Sequence, residues 1–292
     1  MIVVFHDISQ QASSANRRET QAITDAARLF GCRVYDIPSD FAECETAENA
    51  LTYVPQFQER ILGIWVGFIP TYERYAELYQ AALQKNIQLV NSPELYRLAM
   101  EFDQFYPLLN DLTPKSLILE SIDQIPMIKD QLGYPVFVKG AVKLDKEQGW
   151  SAVVANNKEE LDTIVKRILD QPVRSRGKAI VRQLVKLRYL SEAPNGFPMG
   201  REYRLFLYKG QMLAYGFYWD IEPLPLSSVE EIQVIQLARQ VAGRIKTPFL
   251  AVDIRQLETG DWIVIEVGDA QFSGLSHIAV LELWSKIKDL SL

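Results

Sequence analysis

The sequence predicts a chain of two characters, α/β at its N-terminus and α+β beyond it, on three observations. Short apolar runs alternate with helical spacing over the first ~90 residues, as in a parallel sheet covered by helices. Paired β-branched runs joined by short Gly-containing turns recur in the second half. The strongest of these pairs, Phe249 to Leu257 and Trp262 to Val267 around Glu-Thr-Gly-Asp, carries one interior carboxylate in each strand, Asp253 and Glu266.

Ile2 to His6 reads as a strand, Asn16 to Phe30 as a helix and Arg33 to Ile37 as a second strand. Ile61 to Ile69 is a buried strand, Tyr72 to Lys85 an amphipathic helix and Ile87 to Val90 a further strand. The first strand runs into His-Asp-Ile-Ser-Gln rather than a Gly-rich turn, which argues against a dinucleotide site, and His6 reads as a strand-end histidine with a local partner. Asn91-Ser92-Pro93 starts a helix that continues towards Leu109, and Thr113-Pro114 ends it. Next come a strand at Ser116 to Leu119, a helix at Ile122 to Leu132 and the strand Tyr134 to Gly140, ending in Lys139.

The segment Gly140 to Gly149, with Lys143 and Lys146 beside Lys139, reads either as a loop that closes over phosphates or as a solvated hairpin loop. A strand at Ser151 to Ala155, a helix at Glu159 to Leu169, a strand at Ala179 to Leu187 and a loop at Ser191 to Gly200 follow. Arg201 to Tyr208 and Gln211 to Trp219 form a hairpin, Val229 to Lys246 a helix and Ile278 to Ile287 a closing helix.

Composition narrows the function. The 292 residues suffice for one large domain or two ordinary ones. Hydrophobic residues at 48% and charged residues at 23% are those of a globular protein. With 31 basic against 37 acidic residues the net charge is -6, so nucleic acid and anionic lipid are not expected partners. Cys32 and Cys44 allow at most one bridge rather than a disulfide framework, which matches a reducing compartment. No run has the apolar length of a membrane span and the N-terminus has no signal-peptide pattern, so a cytoplasmic protein is expected.

An isolated ionised carboxylate inside a sheet is costly, so Asp253 and Glu266 should bind a cation or be paired. Oxygen ligands without His or Cys suit Mg²⁺ or Mn²⁺, with Asp269 a further oxygen beyond the second strand. The alternative pairs Asp253 with Arg255 or Arg204, and Glu266 with a lysine. Arg201, Glu202 and Arg204 cluster at the hairpin start. Arg204 and Arg201 suit a substrate carboxylate or a transferring phosphoryl group, or else pair with neighbouring acids. Tyr215, Tyr218 and Trp219 either line an acceptor pocket or belong to the core.

The ordered set of Val-Lys-Gly at Lys139, the Ala179 strand, the Glu202 hairpin, Asp253 and Glu266 resembles the ATP-grasp superfamily, and within it most resembles the uncharacterised arginine- and lysine-rich clade. The resemblance covers about the last two-thirds of the chain. It implies a Rossmann-like pre-grasp domain at 1–95 and a two-lobed ATP-grasp domain at 96–292, with lobes near 114–185 and 186–292. It implies ATP between the lobes, Lys139 on the phosphates with Lys143 in the covering loop, Gln183 and Val185 at the adenine edge and Glu202 at the ribose. Asp253 and Glu266 would then hold Mg²⁺. Two positions depart from the pattern: Glu266 is followed by Val-Gly-Asp rather than an asparagine two residues on, so Asp269 is the substitute oxygen, and Asp103-Gln104 stands where a second lysine is expected. The implied activity is ATP-dependent carboxylate-amine ligation through an acyl phosphate, on small-molecule or peptide carboxylates and amines. A nucleotide-binding regulatory module and a kinase of hydroxyl acceptors are the other readings, and oligomerisation stays open.

Overall fold

The computed structural model describes residues 1–8, 14–38, 46–142 and 148–292, and the side chains of the first helix from residue 17 onward. The chain opens with β1 (Ile2–Ile8), α1 (Ser14–Leu29), β2 (Arg33–Pro38), α2 (Ala47–Ala50), β3 (Ile61–Val66), α3 (Tyr72–Gln84) and β4 (Ile87–Leu89). The strands form a parallel sheet in the order β2-β1-β3-β4. Alternate residues of β1 feed opposite faces. Val3 and Phe5 pack with Trp65, Tyr75 and Leu78 under α3, whereas Ile2 and Val4 pack with Ala26 and Ala27 of α1 on the other side. Apolar side chains on both faces explain why these strands read as unbroken hydrophobic runs.

Where the spacing predicts one helix towards Leu109, there are two, α4 (Pro93–Met100) and α5 (Phe102–Leu109). Ser92 caps the first through its hydroxyl, which accepts from Leu95 N at 3.3 Å. Glu101 breaks the helix in an extended conformation, φ -98° and ψ 120°. The amide of Phe102 donates to Ala141 O at 3.0 Å, so a long-range bond replaces the missing helical one and ties Phe102 to the strand that carries Lys139.

A second sheet follows, from β5 (Ser116–Leu119), α6 (Met127–Gln131), β6 (Val136–Gly140), β7 (Val154–Ala155), α7 (Lys158–Leu169), α8 (Pro172–Ser175) and β8 (Ala179–Gln183). Its order is β5-β8-β6-β7, antiparallel throughout. The helix predicted from Ile122 to Leu132 is split into a 3-10 turn (Ile122–Gln124) and α6, because Pro126 lacks the amide an unbroken helix needs. Of the strand predicted from Ser151 to Ala155, Ser151 and Ala152 fall in a 3-10 turn (Trp150–Ala152) and only Val154 and Ala155 are extended.

The segment read as a loop from Ser191 to Gly200 contributes instead to a ribbon of β9 (Tyr189–Glu192) and β10 (Pro198–Gly200). Pro194 and Gly196 sit at the turn and Pro198 and Gly200 at the two ends of β10, so the breakers shape the ribbon without forbidding it. The last sheet comprises β11 (Glu202–Tyr208), β12 (Gln211–Phe217), β13 (Phe249–Gln256) and β14 (Trp262–Asp269), in the order β12-β11-β13-β14. Between β12 and β13 runs α9 (Ser228–Ile245), and α10 (Val280–Ile287) closes the chain. One face of the sheet packs Tyr203, Leu205, Val252 and Ile254 against α9. The other face packs Phe206, Phe249 and Ala251 against α1, α10 and the first sheet. Farther along that second face the apolar residues give way to Glu202, Arg204, Asp253 and Arg255. Among the described residues no helix is long and apolar enough to cross a membrane.

A buried polar node docks the first sheet onto this one. Gln271 accepts from Trp65 N at 2.9 Å through its side-chain oxygen, and its amide donates to Tyr75 Oη at 2.9 Å and to Asp269 Oδ2 at 3.2 Å. Tyr75 donates to Asn91 O at 2.8 Å, and Asn91 exchanges two bonds of 2.9 Å with the backbone of Phe249. Burial pushes the Asp269 carboxyl up to about 6, from an ordinary value of 3.8, although hydrogen bonds from Asn91 and Gln271 oppose the shift. Between those values the folded chain holds a proton that the unfolded chain has released, so stability falls as pH rises through this window and is flat above it. Asp269→Asn removes that titration. The stability of this variant relative to wild type, from urea unfolding, is expected to climb by up to about 1.4 kcal/mol per pH unit between about pH 4 and 6, then level off. A constant difference across that range contradicts the assignment.

Candidate functional site between two antiparallel sheets

Strand register lines up the charges. Arg204 of β11 lies opposite Asp253 of β13, and Asp253 lies opposite Glu266 of β14, so the three occupy one row on one face. The Arg204 guanidinium grips Asp253 as a fork, Nε to Oδ1 at 2.8 Å and Nη2 to Oδ2 at 2.7 Å. It also donates through Nη1 to Gly274 O at 2.9 Å and stacks 4.8 Å from the Tyr218 ring. Burial alone would lower the Arg204 pKa; Asp253 outweighs it and raises it. In the next row Glu202 faces Arg255, with 3.8 Å between Oε2 and Nη1. Burial lowers the pKa of Arg255, which lies 5.7 Å from the Trp219 ring. A Cβ at Gly200 would stand 2.4 Å from the Arg255 Nε, so a side chain there would push the guanidinium away.

From the second sheet, Lys139 of β6 reaches across and donates from Nζ to Glu266 Oε1. Lys139 and Arg182 of β8 lie 5.9 and 5.0 Å from the ring of Phe102, the residue that the break between α4 and α5 places below them. The register between β13 and β14 shifts at Asp253/Ile254 and leaves Ile265 without a partner in that ladder. Arg182 Nη1 takes its carbonyl at 3.0 Å.

A cleft of about 420 Å³ opens between the sheets, with Lys139, Glu202 and Glu266 among its polar walls and the strand end Gln183 to Val185 along one side. Its far wall is a run of rings, with Phe137 to Trp150 at 6.0 Å, Trp150 to Phe197 at 5.5 Å and Phe197 to Trp219 at 6.0 Å. A planar heterocycle fits the ring-lined end and an anionic tail fits the end with Lys139. A second cleft, about 530 Å³, is bordered by Glu19, Phe68, Arg174, Tyr218 and Phe272, from connections of all three four-stranded sheets. The Arg204–Asp253 pair joins the two, since Arg204 rests on Tyr218 of one and Asp253 faces Glu266 of the other.

The structure therefore gathers Lys139, Arg204, Asp253 and Glu266 into one cluster and sets Gln183, Val185 and Glu202 on the wall beside it. Two candidates stand elsewhere. Arg201, one residue before Glu202, points to the opposite face, where it pairs with Glu230 and bonds Pro225 O at 3.0 Å and Gln256 Oε1 at 3.1 Å. Its hydrogen bond holds the Glu230 carboxyl down to about 2. Asp269, three residues beyond Glu266, faces away from it, into the buried node where Gln271 donates to both of its carboxylate oxygens, and so does not share the face of Glu266. Lys143 and Lys146 lie outside the described residues. Asp103, at the place of the second lysine, itself receives Lys178. Tyr218 and Trp219 line separate clefts, and Tyr215 lines neither. The ring wall is the part that sequence reasoning misses: Phe197 falls in a segment read as loop, and the only cue at Trp150 is the preceding glycine.

Among the described residues no group of three or more His, Cys, Asp or Glu is gathered for a metal. Asp253 and Glu266, facing each other with the Glu266 side chain 31% exposed, fit an ion completed by phosphate oxygens and water better than a closed protein cage.

Residues 129–287, more than half of the chain, match the ATP-grasp domain of the R-2-K clade, family 3. Among solved structures, a RimK domain ATP-grasp protein from Sphaerobacter thermophilus superposes with a TM-score of 0.65 at 15% identity, covering 99% of this chain and 98% of that one. D-alanine–D-alanine ligase from Bacillus anthracis, complexed with ATP, gives 0.64 at 14% identity, covering 92% and 85%. ATP-grasp ligase PsnB, complexed with precursor peptide PsnA2 and AMPPNP, gives 0.60 at 14%, covering 98% and 95%. At these identities the likeness is one of fold. No curated protein matches by sequence. The mixed α/β architecture and the family match agree, and the chain belongs to the R-2-K clade of ATP-grasp domain proteins.

Proposed function

We propose that the chain is an ATP- and Mg²⁺-dependent carboxylate-amine ligase, with residues 1–95 as the pre-grasp domain and 96–292 as the grasp. The observation that carries this reading is the contact between Lys139 and Glu266, made across the two sheets at the mouth of a ring-lined cleft. Adenine lies against the rings, its edge read by the backbone of Gln183 and Val185, with Glu202 on the ribose. Lys139 takes the phosphates. Asp253 and Glu266 would hold Mg²⁺, which would supply positive charge to offset that of the phosphates.

The ion pair explains how such a site stays charged without ligand. Lys139 and Glu266 neutralise each other, and a metal-bound polyphosphate entering between them offers an anion to the lysine and a cation to the carboxylate. Neither is left buried and unpaired at any stage, which would be the costly outcome. Metal-free nucleotide would instead press its phosphates against Glu266.

A carboxylate is a poor electrophile because its leaving group would be oxide. Transfer of the γ-phosphoryl group to a substrate carboxylate breaks the bond to ADP and forms an acyl phosphate; an amine then attacks and phosphate leaves. The chain supplies position and charge rather than a nucleophile. Arg204, fixed by Asp253 between the clefts, is placed to steady the carboxylate or the transferring group with the hydrogens its fork leaves over. The amine approaches from the second cleft.

Glu266→Gln is expected to lower ATP turnover by roughly a hundredfold or more, the scale of losing one electrostatic stabiliser. It should also weaken nucleotide binding with Mg²⁺ while leaving or strengthening it in EDTA, as read by calorimetry. Equal losses in both conditions would remove Glu266 from the metal. Hydroxylamine added to protein, Mg-ATP and a panel of amino acids and peptides is expected to yield a hydroxamate with ADP. Release of ADP without hydroxamate points to a phosphate ester and hence a kinase; no ADP with any acceptor favours a nucleotide-binding module.

A further inference from the structure

Three arginines are buried in the described part of the chain, Arg182, Arg201 and Arg255, exposed by 5%, 5% and 7%. Two have an acid within ion-pair distance: Arg201 pairs with Glu230, and Arg255 has Glu202 at 3.8 Å. Among the described residues Arg182 has no such acid. Its Nη1 donates to Ile265 O at 3.0 Å and its Nε to Ser116 Oγ at 3.4 Å, both neutral acceptors, while its Nη2 is buried without an acceptor. Burial pulls the Arg182 pKa down to about 10, with Glu266 only partly opposing it.

Such a cation is expensive to retain in a folded core, since desolvation is offset only when a counter-charge sits close by. Glu266, the acid whose charge opposes that shift, is itself engaged by Lys139. Arg182 also lines the cleft that Lys139 and Glu266 border. The Phe102 ring fixes it from below, and Ile265 O, freed by the register shift, fixes its orientation. A charge held rigidly, short of an anion and set in the wall of a cleft is a charge whose counter-ion arrives with a ligand.

We propose that Arg182 is a second fixed cation for the phosphate chain of the bound nucleotide, acting beside Lys139 from the neighbouring strand. The inference rests on the nucleotide reading of this cleft. It assigns Arg182 to the anionic part of the ligand and not to the base or sugar. Among the described residues no acid pairs with it; in the complex the polyphosphate supplies that anion.

The test compares ligands that differ in phosphate charge. Wild-type protein, Arg182→Gln and Arg182→Lys are titrated calorimetrically with adenosine, Mg-ADP and Mg-ATP. Arg182→Gln, which keeps amide hydrogens for Ile265 O and Ser116, is expected to bind Mg-ADP and Mg-ATP roughly tenfold to a hundredfold more weakly while adenosine affinity is unchanged. Arg182→Lys keeps the charge but not the planar fork, and is expected to lose about threefold to tenfold for the same two ligands. It also serves as the test if the glutamine variant fails to fold. Unchanged Mg-ATP binding, or an equal loss for adenosine, overturns the assignment and leaves Arg182 a tie between the sheets. Wild-type protein that binds none of the three ligands overturns the nucleotide reading itself.

Discussion

Everything at the site depends on one row of opposed charges, Arg204, Asp253 and Glu266 across three strands, completed by Lys139 from another sheet. Side chains of a strand alternate between faces, so register alone decides which residues meet. A slip of one residue would send Asp253 into the apolar layer under α9 and bring Val252 to the cleft. The apolar residues of the same strands enforce the register: Val252 and Ile254 match α9, and Phe249 and Ala251 match the first sheet. The hydrophobic pattern thus holds the polar row in place.

The two ion pairs in the row differ in character. Arg204–Asp253 lies within one sheet, forked and almost closed off, with the Asp253 side chain 5% exposed. Removing one partner from such a pair typically costs about 3–5 kcal/mol, which suits a permanent strut. Lys139–Glu266 spans two sheets, and the Glu266 side chain is 31% exposed on the cleft side. A pair that is part-open to solvent and shared between separate sheets can exchange partners when a ligand of matching charge arrives. Irregularities support it. The break at Glu101 delivers Phe102 beneath Lys139 and Arg182, and the bulge at Ile265 frees the carbonyl that orients Arg182.

The first sheet belongs to the same construction. Its node of Gln271, Tyr75 and Asn91 ties β3 and α3 to β13 and to the turn after β14, so the second cleft has walls from both parts of the chain. Asp269 serves that node. Its burial and its bonds to Gln271 account for an acid in the sheet that the cleft does not use.

By itself the sequence determined the elements and the chemistry they carry: the strands around Lys139, Asp253 and Glu266, the hairpin bearing Glu202 and Arg204, and the helices between. Those features are local, since periodicity, caps and turns are written in neighbouring residues. Tertiary structure alone decided the partners. Whether Arg204 or Arg255 would take Asp253 depended on register, which placed Arg204 opposite and set Arg255 against Glu202. That Arg201 turns away to α9 follows from the point at which β11 begins. The wall of Phe137, Trp150, Phe197 and Trp219 brings together four distant segments, and no window of sequence contains it, because such a surface exists only once the sheets have packed.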